Sequence, residues 1–294
     1  MAGSPMGSRR RLGAELRRLR QARGLTLDEV AERMTCSTSK ISRLETGKGI
    51  PKVPDVNELL RIYGVGSDED RAVLLRLVHH GREHGWWEPL TDGVQPDRFV
   101  IDAPGRYEAL ENDAVAVRAF EVAMFHGLLQ TEEYTRLVLG SLLQAEHDPA
   151  EIDRMVQLRQ RRQRALHDPG RGLELQLVVD EAVLHRAAGS PAATVAQLEH
   201  VLACAELPNV TVQVLPFSAG LHRVHAGAFT VLEFAGDGLA DVVYIEGPGR
   251  ETYLEAPSDV VLYKSVLADA GRRALDPRAS RALIGRYLTK HAQS

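Results

Sequence analysis

Small polar and basic side chains between residues 37 and 47 have the types and spacing needed to read DNA. At helical spacing they share one face, while Ile41 and Leu44 share another and can anchor the helix to a core. Lys and Arg donate hydrogen bonds to guanine O6 and N7, and Ser and Thr hydroxyls contact either bases or phosphates. The residues predicted to contact bases are Thr38, Ser39, Lys40, Ser42 and Arg43.

Other basic residues near this stretch are better suited to the DNA backbone. Contacts with phosphate supply affinity and salt dependence but carry no sequence information. For some of these residues the alternative is a solvated surface charge. The residues predicted to contact phosphate are Arg11, Arg17, Arg20 and Lys48.

Three short helices are predicted to hold these residues in place. The first covers residues 8–22, where Leu recurs at helical spacing, and Gly24 ends it. Thr26 and Glu29 form the S/T-x-x-E pattern of a capping box, which predicts the start of the second helix. Ser37 is the expected N-cap of the third. Two short helices joined by so tight a turn are typical of a helix-turn-helix, whose recognition helix enters the major groove.

Charge is distributed unevenly along the chain. Residues 1–52 contain twelve Lys or Arg and five Asp or Glu, a net charge of +7, whereas the whole chain of 294 residues has a net charge of −4. The residues after 52 therefore carry −11. This distribution is expected when a small basic domain binds nucleic acid and a larger acidic domain does something else.

The N-terminal residues also match a known pattern. The motifs Arg11-Leu12-Gly13, Leu16-Arg17, Arg20, Gly24-Leu25-Thr26, Val30-Ala31 and the run from 37 to 47 resemble the phage-repressor-like (XRE or Cro/C1) family of DNA-binding domains. The resemblance implies five helices, and we assign the last two to residues 54–63 and to a helix capped by Ser67. It also implies a homodimer bound to two half-sites of double-stranded DNA. Leu27 stands where many members have a phosphate-binding Gln, and Thr35 where they usually have Gly.

Residues beyond 85 are predicted to form a mixed α/β domain. Apolar spacing indicates a long helix over residues 106–123, and capping residues indicate further helices from Thr131 and Asp148. Alternating apolar residues then predict strands, with helical segments between and after them. The predicted strands cover residues 173–179, 210–215, 228–234 and 241–246.

The expected fold class is therefore α+β, with two domains after a short tail. We predict a disordered N-terminus at residues 1–8 and an all-α, five-helix DNA-binding domain at residues 9–84. A mixed α/β domain, with a small sheet flanked by helices, is expected at residues 85–294.

The second domain contains motifs of its own. The run His126-Gly127-Leu128-Leu129-Gln130-Thr131-Glu132-Glu133-Tyr134, the pair Trp86-Trp87, and Val243-Tyr244-Ile245-Glu246 before Tyr253-Leu254-Glu255 resemble the uncharacterised effector-like domain of many actinobacterial regulators. The resemblance covers about residues 85–290, and His126 stands where that family usually has Pro. It implies kinship with regulators of morphological development and a small acidic partner protein encoded beside the regulator.

Two groups of residues in the second domain are candidates for binding. Trp86, Trp87, Gln130 and Tyr134 are interpreted as a ligand or partner pocket, although the tryptophan pair alternatively packs at the junction of the domains. Five arginines between residues 154 and 164 form a second basic cluster. This cluster forms either intramolecular salt bridges, a dimer seam or auxiliary contacts with DNA.

The sequence gives little support to metal binding, catalysis or membrane insertion. The histidines at 79, 80, 84, 222 and 225 lack partners at metal-ligand spacing, and Cys36 and Cys204 are interpreted as reduced apolar residues. No nucleotide-binding or nucleophile motif occurs, so we expect no enzyme, metal or cofactor. No apolar run is long enough to span a membrane and the first residues lack the apolar core of a signal peptide, so a cytoplasmic location is expected.

These features predict a sequence-specific DNA-binding transcriptional regulator. Its C-terminal domain is expected to mediate dimerisation and to sense a ligand or a partner protein. The alternative is an antitoxin-like interaction protein that binds a small neighbour-encoded protein and uses DNA binding for autoregulation.

Overall fold

The computed structural model describes residues 4–91, 105–142, 148–224, 227–236, 239–247 and 250–293. The chain divides into two compact units. The helical unit comprises Met1–Glu88, Tyr107–Asp113 and Ala235–Leu239, and the sheet unit comprises Pro89–Arg106, Ala114–Phe234 and Ala240–Ser294.

Five helices form the body of the helical unit: α1 Pro5–Ala22, α2 Leu27–Arg33, α3 Thr38–Glu45, α4 Val53–Ile62 and α5 Asp68–His80. The capping box predicted at the start of α2 is confirmed, since the Thr26 hydroxyl accepts a hydrogen bond from Glu29 N and the Glu29 carboxylate accepts one from Thr26 N. Ser37 and Ser67 are the N-cap residues of α3 and α5, and the side chain of each accepts a hydrogen bond from a backbone N–H in the first turn. Two shorter helices follow, α6 Glu88–Thr91 and α7 Arg106–Asp113.

The helical unit contains an apolar core formed by α1 to α5. Leu, Val and Ile side chains that recur at helical spacing on α1 to α5 pack together and are almost completely buried. The core residues are Leu12, Leu16, Val30, Ala31, Ile41, Leu44, Val56, Leu59, Leu60, Tyr63, Leu74 and Val78.

The start of α1 differs from the sequence prediction. The Ser4 hydroxyl accepts a hydrogen bond from Gly7 N at 3.1 Å, and Pro5 occupies the first helical position. Ser4 N also donates to Asp113 Oδ1 at 2.8 Å. The prediction of a disordered tail at residues 1–8 is therefore wrong for residues 4–8, while residues 1–3 lie outside the described part of the chain.

One six-stranded sheet lies in the described part of the sheet unit. Its strands are β1 Ala116–Glu121, β2 Glu174–Asp180, β3 Val210–Leu215, β4 Phe229–Glu233, β5 Val242–Gly247 and β6 Arg250–Leu254, in the order β3-β2-β1-β4-β5-β6. β1, β2 and β3 are parallel to one another, whereas β4, β5 and β6 are each antiparallel to their neighbours. β5 therefore runs in the same direction as β1, on the far side of β4.

Helices flank this sheet, which confirms the α+β fold class. They are α8 Glu132–Leu142, α9 Pro149–His167, α10 Ala182–His185, α11 Pro191–Cys204, α12 Pro257–Arg273 and α13 Pro277–Ala292. Val260, Leu267 and Ala270 of α12 pack with Phe120, Val231 and other residues of one sheet face. No helix in the described residues is both long and apolar enough to cross a membrane.

The prediction of a long helix over residues 106–123 is wrong. The chain is helical only to Asp113 and then enters β1. β1 lies between β2 and β4 in the middle of the sheet, and four of its six residues are buried. Because such a strand is buried on both faces, it lacks the alternation of apolar and polar residues that identifies a half-exposed strand. The strand β6 was also missed.

Candidate nucleic-acid interface

The recognition helix α3 exposes the residues predicted to read bases. Ser39, Lys40 and Arg43 are exposed and Thr38 and Ser42 are partly exposed, whereas Ile41, Leu44 and Glu45 face the core. The exposed residues therefore lie on one side of a helix that is fixed by packing on the other side. A rigid helix that exposes hydroxyl, ammonium and guanidinium groups can hold them against base edges in a major groove.

A buried ion pair anchors the end of α3 to α1. Arg20 Nε and Nη2 donate to the two carboxylate oxygens of Glu45 at 2.7 and 3.0 Å, and Arg20 Nη1 donates to Leu25 O at 2.6 Å. Such two-pronged pairing fixes both distance and orientation. The side chains of Arg20 and Glu45 are only 11% and 5% exposed. The Arg20 side chain therefore holds α1 and α3 together. Contrary to the prediction, its guanidinium is not available to bind phosphate.

A glycine allows α1 to approach α3 closely. A Cβ on Gly13 would lie 2.5 Å from Leu44 O and 2.6 Å from Glu45 O, well inside normal contact. Only a residue without a side chain fits this position. The backbone contact at Gly13 and the ion pair of Arg20 together determine where the exposed face of α3 lies.

Two residues of the recognition face have acidic partners from neighbouring helices. Lys40 Nζ lies 2.8 Å from Asp55 Oδ2 of α4, and the Thr38 hydroxyl donates to Asp28 Oδ1 of α2 at 2.7 Å. Both contacts are solvent-exposed or partly so, and exposed ion pairs contribute only about 0–1 kcal/mol. DNA can therefore displace them at little cost. Sequence reasoning missed Asp28 and Asp55, because no local pattern connects them with α3.

The remaining predicted phosphate contacts have the exposure that this role requires. Arg11 and Arg17 on α1 and Lys48 after α3 are all exposed. Each keeps its charge in solvent, where it adds to the field that attracts DNA. Their direct contact with phosphate stays a prediction.

The turn between α2 and α3 contains a residue in an unusual conformation. Thr35 has a φ of 49° and is the one residue other than glycine with positive φ in the described ranges. A β-branched residue rarely adopts this left-handed conformation. Thr35 occupies the position where the phage-repressor-like pattern has Gly, so the turn keeps the glycine conformation without the glycine.

The four predicted pocket residues belong to different units. In the helical unit, the rings of Trp86 and Trp87 pack edge to face with centroids 5.8 Å apart, and Trp86 Nε1 donates to Asn112 Oδ1 at 3.0 Å. In the sheet unit, Gln130 Nε2 donates to Phe125 O at 2.6 Å and the Tyr134 hydroxyl accepts a hydrogen bond from Phe125 N at 3.4 Å. Trp87, Gln130 and Tyr134 are buried. Their contacts are those of residues that organise the units internally.

The second basic cluster is divided between the two sides of α9. Arg159 Nη1 donates to Gln130 Oε1 at 2.7 Å, while Gln163 Nε2 donates to Gln130 O at 2.6 Å and Gly127 O at 2.9 Å. This side of α9 holds the 3-10 turn Gly127–Leu129 in place. Arg161 and Arg164 are exposed on the other side.

Among the described residues no group of three or more His, Cys, Asp or Glu is placed to hold a metal ion, and His225 lies outside them.

A carboxylate with a raised pKa stands at the end of β1. Burial, and then the nearby Glu246 of β5, raise the pKa of Glu121 to about 8, and Arg159 opposes this shift. The residue as a whole keeps partial contact with solvent. Sequence analysis missed Glu121 because it placed residues 106–123 in a helix.

Two comparisons with protein families give matches. The family described as a helix-turn-helix domain matches residues 11–74. The family described as a domain of unknown function, DUF5753, matches residues 105–286, more than half of the chain. No curated protein and no solved structure matches.

Proposed function

The chain belongs to the DUF5753 family and carries an N-terminal helix-turn-helix domain, and from these premises we propose that it is a sequence-specific DNA-binding transcriptional regulator. The observation that carries the proposal is the exposed face of α3. Its polar and basic side chains are exposed or partly exposed on one side, while Ile41, Leu44 and the Arg20–Glu45 pair hold the helix on the other. A helix presented in this way is suited to the major groove.

The test begins by selecting preferred sites from random DNA duplexes with the full-length protein. Arg43→Ala is then measured against the selected site by fluorescence anisotropy at fixed salt. If Arg43 reads a guanine, the substitution should cost about 1–3 kcal/mol and relax the preference at one base position. Arg76→Ala, at an exposed position of α5, is the matched control and should leave the preference unchanged. Selection without any enriched sequence would refute the proposal.

We further propose that the sheet unit mediates dimerisation and senses a ligand or partner protein. Helix-turn-helix proteins of the phage-repressor type read two half-sites about one helical turn apart, and a dimer supplies this spacing. Light scattering of the full-length protein tests the dimer directly. Selected sites with a single half-site, together with a monomeric mass, would contradict it.

A second candidate function is an antitoxin-like interaction protein that binds a small neighbour-encoded acidic protein. Val261 and Leu262 on α12 favour it, since they are 67% and 49% exposed and adjacent apolar residues on a surface suit a protein contact. Co-expression with the small acidic protein encoded next to the gene tests this function. A stoichiometric complex that Val261→Glu disrupts would support it, and separate elution of the two proteins would exclude it.

A further inference from the structure

The first residue of the recognition helix has its hydroxyl group bound by the preceding helix. The Thr38 hydroxyl donates to Asp28 Oδ1 at 2.7 Å, and Thr38 is partly exposed while Asp28 is exposed. A threonine hydroxyl has one proton, so this bond uses the only donor of the side chain. Thr38 can still offer a neighbouring molecule an oxygen that lies beside a carboxylate, and a methyl group.

The bond to Asp28 also fixes the direction of this methyl group. A threonine in a helix divides between two rotamers about its Cα–Cβ bond. A hydroxyl that is held by Asp28 selects one of them, and the methyl group on the same Cβ then has a single direction. The side chain therefore meets DNA with its methyl group already in place, and no rotamer freedom is lost when the complex forms.

Both residues stand where a helix-turn-helix meets DNA. The N-terminal residues of the recognition helix contact base edges, while the preceding helix crosses the phosphate backbone. Thr38 begins α3, and Asp28 lies in the first turn of α2. A carboxylate near the backbone repels phosphate, so Asp28 lowers the affinity for DNA of any sequence. A gain in base reading through Thr38 would offset this loss.

DNA offers the Thr38 hydroxyl no better acceptor than the one it already has. Although the exposed contact with Asp28 costs little to break, a hydrogen bond to an ionised acceptor is roughly twice as strong as one between neutral groups. Exchanging the carboxylate for a neutral base acceptor therefore gains nothing. A phosphate oxygen is charged too, but Asp28 repels it. Thr38 thus keeps its bond to Asp28 in the complex.

We propose that Thr38 reads a thymine through its methyl group, and that Asp28 is the residue that positions this methyl. Among the four standard bases only thymine presents a C5-methyl group in the major groove, and apolar contact with that group distinguishes it from the other bases. The proposal rests on the proposed DNA-binding function. It gives one position of the recognised sequence a base and a physical basis.

Replacing thymine by uracil in the DNA tests the methyl contact directly, because uracil lacks the C5-methyl group and keeps every hydrogen-bonding group. Each thymine of the selected site is replaced singly, and binding of the full-length protein is measured by fluorescence anisotropy at fixed salt. At least one replacement should weaken binding of the wild-type protein about fourfold, the effect of losing one buried methyl group. The ratio of the two affinities is measured on one protein, so a general loss of folding or affinity cancels.

Two substitutions of Thr38 separate its methyl group from its hydroxyl. Thr38→Ser keeps the hydroxyl and lacks the methyl, so the thymine-to-uracil ratio at the affected position should fall to about one. Thr38→Val has a methyl in place of the hydroxyl and keeps the other methyl, so a ratio of at least about two should remain. A wild-type ratio of one at every thymine, an unchanged ratio in Thr38→Ser, or a ratio of one in Thr38→Val would each overturn the proposal.

Two substitutions of Asp28 separate its acceptor from its charge. Asp28→Asn keeps an oxygen that can accept from Thr38, whereas Asp28→Ala keeps neither the acceptor nor the charge. Both variants should bind unselected DNA more tightly, but only Asp28→Ala should lower the thymine-to-uracil ratio toward one. Asp68→Ala, exposed in the first turn of α5, is the matched control and should leave the ratio unchanged. A wild-type ratio in Asp28→Ala would overturn the positioning role of Asp28.

The outcome is separable from the test of DNA binding. If no sequence is enriched from random duplexes, the DNA-binding regulator itself is refuted. If a sequence is enriched but uracil replaces each of its thymines without loss of affinity, only the reading of thymine by Thr38 is refuted, and the regulator stands.

Discussion

The two units of the molecule treat a glutamate in the protein interior in opposite ways. In the helical unit, Glu45 is buried against Arg20, which donates to both of its oxygens. In the sheet unit, burial and then the neighbouring Glu246 raise the pKa of Glu121 to about 8, and no ion pair with Glu121 occurs within the described structure. The first arrangement fixes the position of α3, whereas the second leaves a carboxylate without a counterion. This difference indicates that the helical unit uses an interior carboxylate for rigidity, a role that Glu121 does not have in the sheet unit.

Breaking the Arg20–Glu45 pair should have the largest effect. Glu45→Ala leaves the buried guanidinium of Arg20 without a counterion, which should lower the free energy of unfolding by about 3–5 kcal/mol. Urea denaturation measures the change. Glu15→Ala removes the partner of Arg18 in an exposed pair and should cost far less, because solvent screens that pair. Equal costs for the two variants would show that the buried pair has no special role in the helical unit.

Removing the Glu121 carboxylate should change the free energy of unfolding in the opposite direction and stabilise the protein. Since the folded pKa of about 8 exceeds the unfolded value near 4.3, the folded state holds a proton over that range which the unfolded state has lost. Stability therefore falls as pH rises from about 4 to 8, and the penalty is complete above 8. Glu121→Gln should raise the free energy of unfolding above pH 8 and change it little at pH 4.

Thermal unfolding at several pH values measures this difference. Glu199→Gln provides the control, because its carboxylate is exposed and should show no such dependence on pH. A Glu121→Gln protein that is less stable than wild type at pH 9 would mean that the carboxylate contributes to folding, and the contrast with Glu45 would disappear.

The smallest effect is expected at Thr35, within the otherwise relaxed helical unit. A β-branched residue at φ 49° carries conformational strain. Thr35→Gly should relieve it, although glycine also gains entropy in the unfolded chain, so the net stabilisation should be about 1 kcal/mol or less. Chemical denaturation of this variant, beside Thr46→Gly at the C-cap of α3 as the matched change, measures it. Loss of stability at position 35 would show that Thr35 makes contacts worth more than its strain.

The helical unit could be predicted largely from sequence because its signals are local. The capping box at Thr26, the cap at Ser37 and the apolar spacing of Leu12 and Leu16 each act within a few residues. The role of Arg20 could not be predicted this way, because its partner Glu45 is 25 residues away. Spacing along α1 does not distinguish a cation facing solvent from one facing the next helix.

The main features of the sheet unit could not be predicted from the sequence, for a different physical reason. The middle strand β1 is buried on both faces, so its apolar residues satisfied a helical pattern as well as a strand pattern. The proximity of Glu121 and Glu246 depends on the register of β1, β4 and β5, which brings these two residues together across 125 positions of sequence. Only the order of strands in the folded sheet contains that information.

The contact between Lys40 and Asp55 lowers the attraction of α3 for DNA that lacks a preferred site. While Asp55 holds Lys40 at 2.8 Å, one cation of the recognition helix is already neutralised and adds little attraction to arbitrary phosphates. A site with well-placed guanine acceptors can draw Lys40 away, whereas a site without them leaves the pair closed. If Lys40 reads a base, the Asp55 carboxylate on α4 competes with DNA for it, and only a site whose acceptors outcompete Asp55 gains the Lys40 contact, which increases the difference in affinity between the preferred sequence and all others.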